Sequence, residues 1–120
     1  MAAIMVVEDQ DDIRELMSML LQLEGHQPSA VEDGDVALER LRAGAVCDLI
    51  VTDMHMTRMH GDVLAQTLAE DPHFAHIPVI ILSGDYASHL PPNVVAQIAK
   101  PLDVTELLQK IQQTLAPNAA

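Results

Sequence analysis

Along the chain, short unbroken apolar runs alternate with segments whose apolar residues recur every three or four positions. The clearest runs are Ala3-Ile4-Met5-Val6-Val7, Asp48 to Thr52, and Pro78-Val79-Ile80-Ile81-Leu82, with Val94 to Ala99 less apolar. Gln27-Pro28-Ser29-Ala30-Val31 is weaker, and its proline suits an edge strand or a strand start. Runs this short and continuous predict strands of a parallel sheet, buried on both faces. Helices are predicted between them. Ile13, Leu16, Met17, Leu20 and Leu21 share one helical face, and Gly25 provides the stop. Val36, Leu38 and Leu41 make a short second helix after Asp33-Gly34-Asp35, with Gly44 beyond its end. Val63, Leu64, Thr67 and Leu68 follow Gly61 as a third. The last helix starts at the cap-like Asp103, carries Val104, Leu107, Leu108, Ile111 and Leu115, and ends at Pro117. Between Ser83 and Lys100 there is room only for a stunted fourth helix, broken by Pro91-Pro92. Such alternation implies one parallel sheet with helices on both faces.

In open α/β sheets ligands bind outside the carboxyl ends of the strands, and the conspicuous polar residues gather there. Glu8 and Asp9 follow the first run, Asp53 ends the third, Ser83 follows the fourth and Lys100-Pro101 the fifth. Two carboxylates ~4 Å apart repel by ~4 kcal/mol at an effective dielectric near 20, so neighbouring first and third strands would call for a divalent ion. Oxygen-only ligands with little dedicated caging suit Mg²⁺. A carboxylate beside such an ion and a lysine ammonium can serve as a nucleophile toward a phosphoryl group. The ammonium would neutralise charge on the phosphoryl oxygens, and the serine hydroxyl could donate to one of them.

Composition narrows this picture. The length of 120 residues suits one domain, and 49% hydrophobic but only 2% aromatic residues require a core of Leu, Ile, Val, Ala and Met. A formal net charge of −12 argues against direct nucleic-acid binding. Cys47 is the only cysteine, which excludes a disulfide framework and a thiolate cluster, and it reads as a small buried residue. The start lacks a secretory signal, and no apolar run approaches the ~20 residues of a membrane span, so the expectation is a cytoplasmic protein. Asp11 and Asp12 suit a helix N-terminus. The histidines, including His55, His60, His73 and His76, lack a zinc-site pattern and read as solvated loop residues. The methionines read mostly as core filler, with Met54, Met56 and Met59 as an alternative partner surface.

From about Ile4 to Leu115 the chain closely resembles the receiver domain of two-component response regulators, particularly receivers attached to sensory histidine kinases. The resemblance is carried by Val6-Val7-Glu8-Asp9 with Ile13-Arg14, Asp48-Leu49-Ile50-Val51-Thr52-Asp53, Met56 and Gly61, Ile77-Pro78-Val79-Ile80 leading to Ser83-Gly84, and Lys100-Pro101-Leu102. It implies a flavodoxin-like, doubly wound five-stranded sheet of order 2-1-3-4-5, and one receiver domain over 1–120 with no effector domain. It further implies that Asp53 accepts a phosphoryl group from a histidine kinase or histidine phosphotransfer domain, changing a protein-binding surface whose downstream partner is unnamed. Asp9 matches the direct Mg²⁺ ligand, Glu8 an acid acting through water, Asp53 a third ligand, and His55 a contributor through its backbone carbonyl. Ser83 and Lys100 match the residues that hold phosphoryl oxygens, and Lys100-Pro101 a peptide bond that is commonly cis. Such a domain catalyses its own phosphorylation and slow dephosphorylation but is mainly a signalling switch.

The sequence departs from the family at three places. Thr57 stands where proline usually follows Met56, which predicts a looser loop beside Asp53. Gln97 stands where an aromatic residue often swings inward when the residue matching Ser83 shifts. The short segment from Gly84 to Asn93 predicts an unusual surface beside the fifth strand. Two other readings carry different chemistry. A pseudo-receiver would bind partners without being phosphorylated. Asp53-Met54-His55-Met56-Thr57 also resembles the nucleophile motif of haloacid-dehalogenase-type phosphatases, although that motif belongs after the first strand of a larger domain.

Overall fold

In the computed structural model, residues 2–85 and 89–115 are described. The order is β1 (Ala3–Val7), α1 (Asp11–Leu23), β2 (Gln27–Val31), α2 (Gly34–Arg42), β3 (Leu49–Asp53), α3 (Gly61–Ala69), β4 (Val79–Ser83), β5 (Val94–Ala99) and α4 (Val104–Leu115). All strands pair in parallel, in the order β2-β1-β3-β4-β5. The expected sheet is therefore present. β3 and β4 each lie one residue later than the pattern suggested, because the ladder continues through Asp53↔Leu82 and Ser83↔Ala99. Asp53 and Ser83 are thus the last residues of their strands.

Side chains alternate across the sheet as a period of two demands. Met5, Val7, Ile50, Val79 and Ile81 face α2 and α3, packing on Leu38, Leu41, Leu64 and Leu68. Ile4, Val6, Leu49, Val51, Ile80 and Leu82 face α1 and α4, against Met17, Leu21, Leu107 and Ile111. Each fully buried aliphatic side chain contributes about 1.5–3 kcal/mol relative to exposure, so this double layer holds the sheet rigid under its carboxyl end.

The edge at β5 is less regular. Val79 pairs with Val94 but Ile80 pairs with Ala96, leaving Val95 as the extra residue of a bulge. The slip turns Val94 toward the α2–α3 layer and Ala96 and Ile98 toward the α1–α4 layer. The connection from β4 is also more reduced than expected. Among the described residues no helix forms between Ser83 and Val94, and 86–88 lie outside the described residues, as does Pro117. Here the buried Asn93 ties the chain to α3 by donating from Nδ2 to the Ala65 carbonyl at 2.9 Å. No helix among the described residues is long and apolar enough to cross a membrane.

Candidate functional site

The strand order places β1 beside β3, with Val7 opposite Thr52, so the residues that follow converge. Glu8, Asp9 and Asp53 each present a carboxylate oxygen within 4.8 Å of the others. Glu8 and Asp53 are buried at 2% and 6% exposure, while Asp9 is exposed. Among the described residues this is the only such cluster of three groups able to hold a metal ion.

Lys100, just beyond β5, reaches across β4 to set its Nζ 2.5 Å from Asp53 Oδ1. The Met54 N–H donates to the same oxygen at 3.1 Å. Backbone pairing delivers Lys100 there, its N–H donating to the Ser83 carbonyl at 2.9 Å. The Lys100-Pro101 peptide is cis, as the resemblance implied. Ser83 is buried beside this group, but its hydroxyl is turned into its own loop. It donates to the Asp85 carbonyl at 2.6 Å and accepts from the Asp85 N–H at 3.1 Å.

Glu8 is held against its charge. Burial pushes its carboxyl up from the ordinary value, and the nearby Asp53 charge and Asp9 add to this. The Gln10 N–H, donating to Oε2 at 3.2 Å, and Lys100 oppose the rise. Glu8 Oε1 is buried without a hydrogen-bond partner. An unpartnered buried carboxylate oxygen facing two further carboxylates is a donor set for a hard, oxygen-seeking cation. The residues therefore fit a magnesium ion.

The β3–α3 loop closes the site. The Gly61 N–H donates to the Met54 carbonyl at 2.8 Å, pinching the loop at its base. A Cβ on Gly61 would stand 2.4 Å from the Asp53 carbonyl oxygen, so only glycine permits this approach. The loop around Thr57 is tied to Asp33, which in the sequence stands only as the lead-in to the second helix. Asp33, 1% exposed, accepts from the Gly34 and Met59 N–H groups at 2.8 Å each and from the Arg58 N–H at 3.0 Å. Asp35 takes the Arg58 guanidinium at 2.7 and 3.1 Å, and that ion pair lowers the Asp35 pKa and raises that of Arg58. The signal for Asp33 was its place as an acid before the glycine that starts a helix; nothing in the sequence tells which loop lies against it.

The remaining candidates divide cleanly. His55 is exposed and stacks edge-on against His60 with ring centroids 5.6 Å apart. His73 lies exposed beside Asp71, at 3.3 Å. Met54 and Met56 are buried at 6% and 4% and Met59 packs on the same core, so they fill space rather than form a partner surface. The half-buried Cys47 donates to the Leu49 carbonyl at 3.3 Å, and burial pushes its thiol pKa up. Gln97 lines a small cavity with Ser83, Gly84, Asp85, Ile98 and Ala99. Asp53 ends the third strand, not the first, which removes the footing of the phosphatase reading.

Comparison with known proteins agrees with this geometry. Residues 4–112 match the response regulator receiver domain family. The sensor histidine kinase TmoS of Ectopseudomonas mendocina is 30% identical over 122 residues, covering 98% of this chain and 12% of that protein. The chain thus spans about an eighth of that relative's length. Response regulator TrrA of Thermotoga maritima, solved in complex with Mg²⁺–BeF, superimposes with a TM-score of 0.84 at 29% identity. That match covers 96% of this chain and all (100%) of the other. The signal receiver domain of a histidine kinase from Syntrophus aciditrophicus gives 0.84 at 27% identity, covering 97% of this chain and 91% of that one.

Proposed function

We propose a function from one premise: the chain belongs to the response regulator receiver domain family, the phosphoacceptor side of two-component signalling. Receivers of this family are paired with histidine kinases and bind Mg²⁺ at an acidic pocket. In this chain the phosphoacceptor is Asp53. The observation that carries the assignment is its position: buried, 2.5 Å from the Lys100 ammonium, and clustered with Glu8 and Asp9.

Among the described residues, the Lys100 and Met54 contacts to the Asp53 carboxylate both fall on Oδ1, which leaves Oδ2 for attack. In the transfer, an Asp53 oxygen forms a bond to phosphorus as the phosphorus–nitrogen bond of a phosphohistidine breaks. The donor imidazole leaves with that electron pair, and Asp53 becomes a mixed acyl phosphate. Lys100, released from the full carboxylate charge, neutralises a phosphoryl oxygen. Ser83 donates to another once its hydroxyl turns from Asp85. Asp9, Asp53 and the His55 carbonyl would hold the magnesium ion directly, with Glu8 acting through water. When bound, the ion supplies charge neutralisation for the phosphoryl oxygens. The partner is a histidine kinase or a histidine phosphotransfer domain, and phosphorylation alters the surface around Ser83, Gln97 and β5.

A small acyl phosphate with Mg²⁺ should add one hydroxylamine-sensitive phosphoryl group per chain, read by mass spectrometry. Asp53→Asn should abolish the label; equal labelling of that variant would sink the assignment.

A further inference from the structure

We propose that Asp33 is a positioning residue for phosphoryl acceptance: its carboxylate fixes the β3–α3 loop, and through it the Asp53 side chain and the His55 carbonyl. The inference rests on the reading of Asp53 as the phosphoacceptor. Met54 still continues the β3–β4 pairing, its N–H donating to the Leu82 carbonyl at 2.9 Å, but from His55 to His60 the loop has no helical or strand ladder of its own. Its base is pinched between Met54 and Gly61, and His60 Nδ1 lies 3.3 Å from the Met54 carbonyl. The far side is held from outside. Asp33 Oδ1 accepts from Met59 N–H at 2.8 Å and Oδ2 from Arg58 N–H at 3.0 Å.

Capping α2 is the bland account of Asp33, and one acceptor oxygen suffices for that. Asp33 instead takes three N–H groups, of which only Gly34 N–H belongs to α2. A carboxylate 1% exposed needs such donors, so acid and loop hold each other in place. The loop also meets the start of α2 backbone to backbone, since a Cβ on Gly34 would stand 2.7 Å from the Met59 carbonyl oxygen. Asp35 closes the outside of the joint by its two bonds to the Arg58 guanidinium. With Thr57 unable to fix its own φ as proline does, these ties supply the rigidity the loop's sequence lacks.

Asp33→Ser separates the two roles, because serine caps a helix as well as aspartate does but offers one short acceptor. In the full chain, this variant should bind Mg²⁺ more weakly by calorimetry. It should also take up phosphate from a small acyl phosphate at saturating Mg²⁺ about tenfold more slowly, the scale seen when groups that orient metal ligands are lost. Amide exchange should quicken at Arg58 and Met59 while α2 keeps its protection. Arg58→Gln, a surface change that leaves the core intact, should give a smaller slowing in the same direction. Should Asp33→Ser not fold, Asp33→Asn places an amide nitrogen among the same donors and should show the same slowing. Wild-type rates and Mg²⁺ affinity in the folded Asp33 variant overturn the positioning role while leaving Asp53 untouched. A wild-type chain that takes up no phosphoryl group overturns the reading of Asp53 itself.

Discussion

The two halves of the sheet's carboxyl end are built on opposite plans. Around β1 and β3 the polar groups are buried and cross-tied: Glu8 and Asp53 sit in one acidic cluster, and Asp33 binds two loops together. Around β4 and β5 the strands carry a bulge, the connection contains no helix among the described residues, and Val95 stands 51% exposed. In the first half, burial makes each charge costly unless a partner or an ion meets it. Among the described residues, the other half shows no comparable cluster of buried carboxylates. Lys100 joins the two halves, starting beyond β5 and ending on Asp53.

Lys100→Ala tests that joint, with the largest expected effect. Phosphorylation should slow by at least about tenfold, on the scale of losing one preorganised charge at a transition state, while Mg²⁺ binding stays largely intact. Amide exchange of β5 should then no longer respond to a phosphodonor. A retained response would show that the two halves communicate by another route.

A pair of glycines sharpens the contrast in stability. Gly61→Ala drives a methyl to 2.4 Å from the Asp53 carbonyl oxygen, whereas a Cβ on Gly84 meets nothing within 4 Å. Overpacking of this kind costs about 1–3 kcal/mol, so the urea midpoint of Gly61→Ala should fall clearly and its phosphorylation slow with it. Gly84→Ala should stay within about 0.5 kcal/mol of the parent. Equal midpoints would erase the proposed difference between the halves.

The smallest effect concerns Asp35. Its pKa lies below the ordinary 3.8, chiefly through its hydrogen bonds with Arg58. A depressed acid contributes stability that is present above its unfolded value and lost as pH falls through the folded one. Asp35→Asn should therefore lower the melting temperature slightly at pH 7, and the gap to the parent should close as pH drops below 3.8. Because the pair is exposed, salt should shrink the same gap.

The parallel sheet and most element positions were legible from the apolar pattern, because a strand buried on both faces leaves little room for polar residues, whereas the strand order came only with the resemblance to receiver domains. The acids at the ends of β1 and β3 were legible for the converse reason: charge placed at the end of such a run is there for a ligand. Ser83 was found by position, yet its present engagement with Asp85 was not, since a hydroxyl's partner depends on a loop that folds back locally. Asp33 escaped notice altogether as part of the site. Its three donors come from two segments brought together only by the sheet order, and a sequence shows an acid before a glycine without showing what lies across from it.

By itself, then, the sequence determined the doubly wound sheet and which residues stand at its carboxyl end, since both follow from local periodicity and from where charge interrupts it. Tertiary structure alone decided that Lys100 reaches Asp53 across an intervening strand and that Asp33 takes the Arg58 and Met59 N–H groups of the loop beside Thr57. These are contacts between segments far apart in the chain, and their geometry exists only once the strands have taken their order.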